Sequence, residues 1–275
     1  MSQVEDPGML TIAGKTARLA RVIGDRVRPR VAAWGQIALD LLFPRRCAHC
    51  ECDLDPPHDG MMLCAPCRRE FAPVEWVGCR RCGAASSGPV AGERCPLCQR
   101  SVLLFDTTIV LGRYDGALRD VVLRMKRKGG EPLATALGEF LARMRGEELA
   151  SLKFDVVVPV PMHWQRRLAR GANSPEVLAE KIARRLRIPV LKRALRQVRN
   201  TLPQKDLPLK RRWQNVRGAF GLRAGYDLGG ARVALVDDVL TTGATCSEAA
   251  GILKKGGASH VVAVVLARAH GTDVA

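Results

Sequence analysis

The feature that most constrains the fold of this chain is a set of four Cys-x-x-Cys pairs within residues 47–98. Thirteen residues separate the first pair from the second and twelve separate the third from the fourth, so one module occurs twice. Two residues between cysteines form a tight turn that directs both sulfurs to one point, and a second such turn completes a tetrahedron around Zn²⁺. The pattern predicts two structural zinc sites. Their ligands are Cys47, Cys50, Cys64 and Cys67 in the first site, and Cys79, Cys82, Cys95 and Cys98 in the second.

Two other identities for these pairs stay open at this point: a redox-active dithiol, because Cys-x-x-Cys also occurs in oxidoreductases, and an iron–sulfur cluster. The even repetition of the pairs favours zinc over both. Few apolar residues lie between the pairs, so metal binding is expected to supply folding energy here. Cys52, His49 and His58 lie close enough in sequence to replace a ligand of the first site, whereas Cys246 is expected to be a buried thiol.

The N-terminal residues show no signal for export. Residues 1–30 lack both a continuous apolar core and a small-residue cleavage site, and no apolar stretch approaches the length of a transmembrane span. Ten cysteines in such a chain argue against a disulfide framework and for a cytoplasmic location. Residues 9–43 are partly amphipathic, and they either pack on their own domain or make peripheral contact with a membrane surface.

The positive charge of the chain is concentrated in one stretch. The formal net charge is +17, and residues 164–217 contain 16 basic residues against 3 acidic ones. Such an imbalance indicates an anionic partner or, alternatively, a solvated basic surface helix. Only Trp164 and Trp213 place aromatic rings among these basic residues, which is a small number for stacking on nucleic acid bases.

Beyond residue 105, apolar runs rich in β-branched residues alternate with amphipathic segments. This alternation predicts an α/β domain in which helices connect the strands of a parallel sheet. Strands are expected at 108–113, 154–160, 188–191, 232–238 and 260–267, and helices at 116–128, 133–149, 175–186 and 245–255.

The most informative segment of this domain is Val233-Ala-Leu-Val-Asp-Asp-Val-Leu-Thr-Thr-Gly-Ala-Thr245. A hydrophobic strand leads into two adjacent carboxylates, and a Thr/Gly loop then enters a helix. Ligands of open α/β sheets bind beyond the carboxyl ends of the strands, and helix N-termini favour phosphate. Carboxylates accept hydrogen bonds from sugar hydroxyls, so the pattern predicts a ribose 5-phosphate site, with a solvent-exposed acidic turn as the alternative.

This segment resembles the diphosphate-sugar signature of phosphoribosyltransferases. Together with the two cysteine modules, it makes the chain similar to the ComF family of double zinc ribbon, phosphoribosyltransferase-like proteins over residues 39–269. Further stretches agree with that family in order and spacing: Tyr114-Asp-Gly-Ala-Leu-Arg119, Lys126, Asp155-Val-Val-Val-Pro-Val-Pro161, Arg199 to Gln204 and Asn215-Val-Arg-Gly-Ala-Phe220. The chain departs from the family at residues 170–175, where Ala172 and Ser174 replace an aromatic residue and a glutamine.

The resemblance implies a parallel-sheet, type I phosphoribosyltransferase-like domain at 105–275, a double zinc ribbon at 39–104 and a partly helical extension at 1–38. Asp237 and Asp238 are the implied catalytic pair, and a basic segment around Arg199 and Arg212 is expected to close over the diphosphate. The implied ligand is phosphoribosyl diphosphate with Mg²⁺. Its implied binding residues are Val236, Asp237, Asp238, Thr241, Thr242, Gly243, Ala244, Thr245, Arg199 and Arg212.

Two functions follow as expectations. The first is a cytoplasmic protein of DNA uptake that binds or processes single-stranded DNA, alone or with DNA-uptake proteins. The second is an active phosphoribosyltransferase that transfers ribose 5-phosphate to a nucleobase or amine. The intact Asp237–Asp238 motif favours turnover, whereas no segment identifies an acceptor pocket.

Overall fold

The computed structural model describes residues 45–54, 59–72, 78–84, 95–99, 102–162, 173–202 and 207–269. The chain separates into two compact units, Met1–Arg46 and Cys47–Ala275, and the second contains both cysteine modules and the α/β region. The predicted N-terminal helix, the amphipathic stretch 9–43 and His58 lie outside the described residues. The domain limits at 38/39 and 104/105 stay predictions.

The described residues of the second unit contain both helices and strands. The helices are α1 Ala65–Phe71, α2 Pro96–Gln99, α3 Gly116–Met125, α4 Glu131–Met144, α5 Gly146–Ser151, α6 Ser174–Leu186, α7 Leu209–Val216 and α8 Ala244–Lys255. The strands are β1 Thr107–Arg113, β2 Val156–Pro159, β3 Leu195–Gln197, β4 Phe220–Leu222, β5 Arg232–Leu240 and β6 His260–Arg268.

Four strands form a parallel sheet in the order β1-β6-β5-β2, which confirms the predicted parallel-sheet α/β architecture. The register pairs Val157 with Ala234 and Val236 with Val264, so β5 and β6 are central. Both faces of the sheet are covered, and therefore β5 is buried and apolar from Val233 to Val236 and β6 from Val261 to Ala267.

Different helices cover the two faces of the sheet. Helices α3, α4 and α6 pack on the face that includes Ile109 and Val264, called here the α4 face. Helix α8, the antiparallel pair β3–β4 and Trp213 of α7 pack on the face that includes Val110 and Val265, called here the α8 face. Alternate residues of each strand point to opposite faces, which produces these two separate cores.

The two cysteine modules also pack on opposite faces. Residues of the first module, including Leu63 and Phe71, belong to the core of the α4 face. The four cysteines of the second module, with Leu103 and Phe105 that follow it, belong to the core of the α8 face. Each module thus adds apolar residues to a core that it does not build alone.

Some predicted elements differ from those observed. The predicted helix 133–149 is divided into two helices, α4 and α5, because the backbone of Arg145 leaves helical geometry. The guanidinium of Arg145 donates to the carbonyl oxygens of Val110 at 2.9 Å and Leu111 at 3.2 Å. The predicted strand 188–191 forms only one parallel bridge, between Val157 and Val190. Pro189 has no N–H with which to continue that ladder. The antiparallel pair β3–β4 and helix α7, which lies between these strands in the chain, were not predicted.

Candidate functional site

The first cysteine module brings four sulfurs together. The Sγ atoms of Cys47, Cys50, Cys64 and Cys67 lie within 4.8 Å of one another. Cys50 Sγ and Cys64 Sγ are 3.6 Å apart, close to the separation of about 3.8 Å that a tetrahedral zinc site with Zn–S bonds of about 2.3 Å requires. Cys47 and Cys67 are buried, whereas Cys50 is exposed. This arrangement fits a structural Zn²⁺ site.

The second cysteine module is also a four-sulfur cluster, and all four of its cysteines are buried. The Sγ–Sγ distances are 3.8 Å between Cys79 and Cys98 and 3.4 Å between Cys82 and Cys95. The turn of the first pair closes through a 2.7 Å hydrogen bond from the Gly83 N–H to the Cys79 carbonyl. Gly83 has φ +67° and permits this turn without strain.

One thiol in each cluster has a lowered pKa. The pKa of Cys50 falls to about 6, chiefly through the backbone N–H of Cys52. For Cys79, burial raises the pKa, but backbone N–H groups, first among them that of Cys82, outweigh burial and bring it to about 7. Zinc binds the thiolate, so these amides favour the metal-binding form.

The alternative ligands of the first site have other surroundings. Cys52 Sγ is 3.4 Å from Cys50 Sγ but is not part of the group of four. The ring of His49 packs edge-on against Phe71 with centroids 5.0 Å apart. Its Nδ1 lies 3.1 Å from a guanidinium nitrogen of Arg124 on α3. His49 therefore contacts the α/β region rather than the sulfur cluster.

The acidic pair lies near the carboxyl end of β5, which continues two residues beyond it to Leu240. Asp238 Oδ1 is 2.9 Å from the Nζ of Lys126, the residue that follows α3, and the side chains are 13% and 23% exposed. Asp237 instead accepts a 2.8 Å hydrogen bond from the Asp238 N–H at Oδ1, and Cys246 Sγ lies 3.7 Å from its Oδ2.

The two carboxylates consequently differ in chemistry. Burial, followed by the neighbouring charge of Asp238, raises the pKa of Asp237 to about 7. Burial also raises the pKa of the Cys246 thiol, which keeps this group protonated and able to donate to Asp237. Near neutral pH the site therefore contains one carboxylate paired with an ammonium group and one that titrates.

A tight loop follows the acidic pair and leads directly into α8. Gly243 has φ +81° and precedes the first helical residue, Ala244, whose N–H lies 3.3 Å from Thr242 Oγ1. Gly243 and Ala244 are buried, while Thr241, Thr242 and Thr245 are partly exposed. We call residues 241–245 the phosphate loop, because a Thr/Gly loop at a helix N-terminus is suited to bind an anion.

The arginines expected to contact diphosphate have backbone partners. The Nη2 of Arg199 donates to the carbonyl oxygens of Asn215 and Arg217, both at 2.8 Å. Arg212 is only 2% exposed, and its Nε donates to the Leu207 carbonyl at 3.0 Å. Both arginines thus stabilise the segment around α7, and their contact with diphosphate stays a prediction, as do the roles of the other binding residues.

Two side chains at this site had no role in the sequence predictions. Lys126 belongs to the family pattern, but nothing in the sequence indicates that it pairs with Asp238. Arg268, at the end of β6, donates to the carbonyl oxygens of Leu240 and Thr241. The adjacency of β5 and β6 in the sheet creates this contact, and the sequence carries no signal for it.

Comparison with known proteins identifies the family. A family model described as a double zinc ribbon domain matches residues 38–100. Competence protein F of Haemophilus influenzae is 31% identical over 231 residues, which span 82% of this chain and 98% of that protein. The chain belongs to the competence protein F (ComF) family. A second relative is DNA utilization protein YhgH of Escherichia coli K12, which is 28% identical over 83% of this chain and 99% of its own length. A third is competence protein ComFC of Bacillus subtilis, which is 24% identical over 75% of this chain and 84% of its own length.

The ComF assignment agrees with the architecture. This ComF chain has a parallel-sheet α/β domain and a double zinc ribbon whose two four-cysteine sites are compatible with structural zinc. Similar solved structures include a glutamine phosphoribosylpyrophosphate amidotransferase from B. subtilis, with 25% identity over 50% of this chain and 27% of that one and a TM-score of 0.33. Another is a purine phosphoribosyltransferase from Pyrococcus horikoshii, with 18% identity and a TM-score of 0.31. The match covers 58% of this chain and 87% of that protein.

Helices that could cross a membrane are absent from the described part of this ComF chain, since none there is both long enough and apolar enough.

Proposed function

We propose that this ComF protein binds phosphoribosyl diphosphate at the acidic pair and phosphate loop, and that it acts in the cytoplasm in the uptake or handling of single-stranded DNA. The observation that carries the first part is the meeting of Asp237, Asp238, the phosphate loop and the N-terminus of α8 at one edge of the sheet. One site thereby combines acceptors for sugar hydroxyls with donors for a phosphate.

Each component of this site has a separate task in the proposed binding. The carboxylates of Asp237 and Asp238 accept hydrogen bonds from the ribose hydroxyls, and the amides and hydroxyls of the phosphate loop donate to the 5-phosphate. Lys126 keeps Asp238 in place and reduces the negative charge near the anionic ligand. Mg²⁺ would then be held chiefly by diphosphate and hydroxyl oxygens and would neutralise part of the diphosphate charge.

Isothermal titration with phosphoribosyl diphosphate and Mg²⁺ tests this site. The double variant Asp237→Asn with Asp238→Asn keeps side-chain size but removes both charged acceptors, so binding is expected to weaken at least about 100-fold. The matched control is Asp120→Asn with Asp227→Asn, which removes two exposed carboxylates and leaves binding unchanged. Wild-type affinity in the Asp237/Asp238 variant would refute the assignment.

The DNA part of the proposal is supported by the names of the relatives and by the distribution of basic residues. Those relatives are called competence and DNA utilization proteins. The basic stretch divides between the faces: Arg184 and Arg185 end α6 on the α4 face, whereas Arg211 and Arg217 are exposed at α7, on the α8 face. Arg211 and Arg217 lie near Arg199 and Trp213, so we place the single strand along α7.

Charge reversal tests the proposed DNA interface. Arg211→Glu with Arg217→Glu is expected to weaken binding of an arbitrary single-stranded oligonucleotide at low salt. The slope of log affinity against log salt should become shallower by about 0.7 for each phosphate that the protein no longer neutralises. Arg184→Glu with Arg185→Glu changes net charge equally on the other face and is expected to have a smaller effect. Equal weakening in both variants, or no binding by wild type at low salt, would contradict this interface.

Turnover is the second candidate function, and the same acidic pair favours it. An active enzyme releases pyrophosphate from phosphoribosyl diphosphate when an acceptor nucleobase or amine is present, and arginine side chains and Mg²⁺ would stabilise the departing charge. A coupled pyrophosphate assay over a panel of nucleobases and amines separates the two functions. Acceptor-dependent release that the Asp237/Asp238 variant abolishes would establish an enzyme, whereas binding without release supports an accessory role.

A further inference from the structure

One buried arginine joins the second zinc ribbon to the phosphate loop. Arg268, the last residue of β6, is 8% exposed. Its Nε donates to the carbonyl of the zinc-ligand residue Cys82 at 2.8 Å, and its Nη1 donates to the carbonyl of Leu240 at 2.9 Å and to that of Thr241. A single guanidinium group therefore contacts both a ligand turn of the second cluster and the entrance of the phosphate loop.

The charge of Arg268 also points to the second zinc site. Its guanidinium donates to several backbone carbonyl oxygens, including that of Ala269, none of which carries a full negative charge. A buried guanidinium needs compensating negative charge. A zinc ion bound by four thiolates carries a net charge of about −2 and supplies it on the Cys82 side. Cys82, Cys98, Thr242, Gly243 and Arg268 line one shared cavity.

A second set of contacts connects the same two regions. Arg81 Nη2 donates to the Leu103 carbonyl at 2.6 Å, and its Nη1 donates to the carbonyl of Phe105. Leu103 and Phe105 in turn lie beneath Gly243, where an added Cβ would be 3.0 Å and 3.6 Å from their side chains. The phosphate loop thus rests on residues that the second cysteine module holds.

The first zinc ribbon provides an internal comparison, because it docks on the other face of the sheet. Its polar contacts in the described residues include the guanidinium of Arg124 with the His49 carbonyl at 2.9 Å and that of Arg143 with the Asp59 carbonyl at 2.6 Å. These bonds lead to α3 and α4, and none of them touches the phosphate loop.

We propose that Arg268 is a positioning residue through which the second zinc ribbon orders the phosphate loop. Zinc at the second site and a sugar phosphate at the loop then stabilise each other, whereas zinc at the first site is independent of the sugar phosphate. The part that concerns the sugar phosphate rests on the proposed function. By thermodynamic linkage, the effect of either ligand on the other is reciprocal.

Hydrogen exchange of the loop amides tests the role of Arg268 without any ligand. Arg268→Lys keeps the charge but replaces the planar guanidinium, whose Nε and Nη1 donate to different carbonyls, with a single ammonium group. Amides of residues 240–245 are expected to exchange roughly tenfold faster or more. The matched control is Arg145→Lys. Arg145 is partly buried, and its guanidinium also donates to strand carbonyls, those of Val110 and Leu111. Unchanged loop exchange in Arg268→Lys, or equal acceleration in both variants, would overturn the proposal.

Zinc release from the wild-type zinc-loaded protein tests the linkage, and this measurement does not require the Arg268 variant. The protein is mixed with an excess of a colorimetric chelator, and ribose 5-phosphate is present at about ten times its own dissociation constant. Under these conditions one of the two Zn²⁺ ions is expected to be lost roughly tenfold more slowly than without ribose 5-phosphate. Cys67→Ser, which disrupts the first site, should retain the protected phase. Protection of neither ion or of both would refute the linkage.

The two proposals fail in distinguishable ways. If titration shows that ribose 5-phosphate does not bind the wild type, the sugar-phosphate function is wrong, and loop exchange in Arg268→Lys still decides whether Arg268 positions the loop. If ribose 5-phosphate binds but protects no zinc, the site is correct and the linkage is wrong.

Discussion

Asp237 and Asp238 are neighbours in sequence, yet they have different chemical surroundings. Successive side chains of a strand point to opposite sides, so Asp238 meets Lys126 beyond α3 while Asp237 meets Cys246 of α8. The sequence located both carboxylates by the pattern of a strand followed by a loop. It carried no sign that Asp238 pairs with Lys126 or that Asp237 contacts Cys246, because those contacts form between segments distant in sequence.

The raised pKa of Asp237 predicts a pH-dependent contribution to stability. Its folded pKa of about 7 exceeds the ordinary value of 3.8, so between these values the native state holds a proton that the unfolded state releases. Stability is therefore lost as the pH rises from about 4 to about 7. Asp237→Asn removes this loss. The free energies of unfolding of this variant and of wild type are measured in urea at pH 5 and pH 8. The difference, variant minus wild type, should be larger at pH 8 than at pH 5 by about 3 kcal/mol.

The control for this prediction is Asp227→Asn, at an exposed position in the turn before β5. This change is expected to alter stability equally at pH 5 and pH 8. An Asp237→Asn effect that is the same at both pH values would show that Asp237 is ionised throughout.

At the scale of elements, the segments with long apolar patterns were predictable and the short ones were not. The buried strands β5 and β6 and helix α8 agree with their predicted positions to within two residues. Helix α7 has only Leu209, Trp213 and Val216 at helical spacing among basic residues, so its composition resembled a loop. The three-residue strands β3 and β4 are too short for a period to be recognised.

The backbone of the phosphate loop predicts an effect of substitution at Gly243. Gly243 and Gly225 both have positive φ, +81° and +88°, so alanine at either position should reduce stability by about 1 kcal/mol. Only at Gly243 does the added Cβ meet another group, Leu103 Cδ2 at 3.0 Å, whereas at Gly225 nothing lies within 4 Å. Gly243→Ala should therefore also weaken sugar-phosphate binding, as measured by titration, and Gly225→Ala should not. Equal binding by both variants would contradict the placement of the phosphate loop.

At the scale of the whole molecule, the two zinc ribbons occupy opposite faces of one sheet and differ in exposure. Cys50 of the first cluster is exposed, while all four cysteines of the second are buried. The second ribbon lies against the phosphate loop and the first does not. The repeat in the sequence predicted two equivalent modules, but their surroundings make them unequal.

This inequality predicts the order in which zinc is released. A chelator should remove one Zn²⁺ rapidly and the other slowly, because attack on a thiolate requires access to the sulfur. Cys67→Ser is expected to abolish the fast phase and retain the slow one, with release followed by absorbance. A fast phase that survives in Cys67→Ser would mean that the buried cluster is the more labile of the two.

The sequence by itself determined which cysteines form each cluster, the parallel sheet and the position of the acidic pair. Each of these depends on the spacing of residues close together in the chain, which local geometry translates directly into structure. Tertiary structure alone decided that Lys126 pairs with Asp238, that the basic stretch divides between two faces, and that Arg268 contacts both Cys82 and the phosphate loop. These contacts depend on which strands become neighbours and on which face each helix packs, and burial over the whole chain sets both.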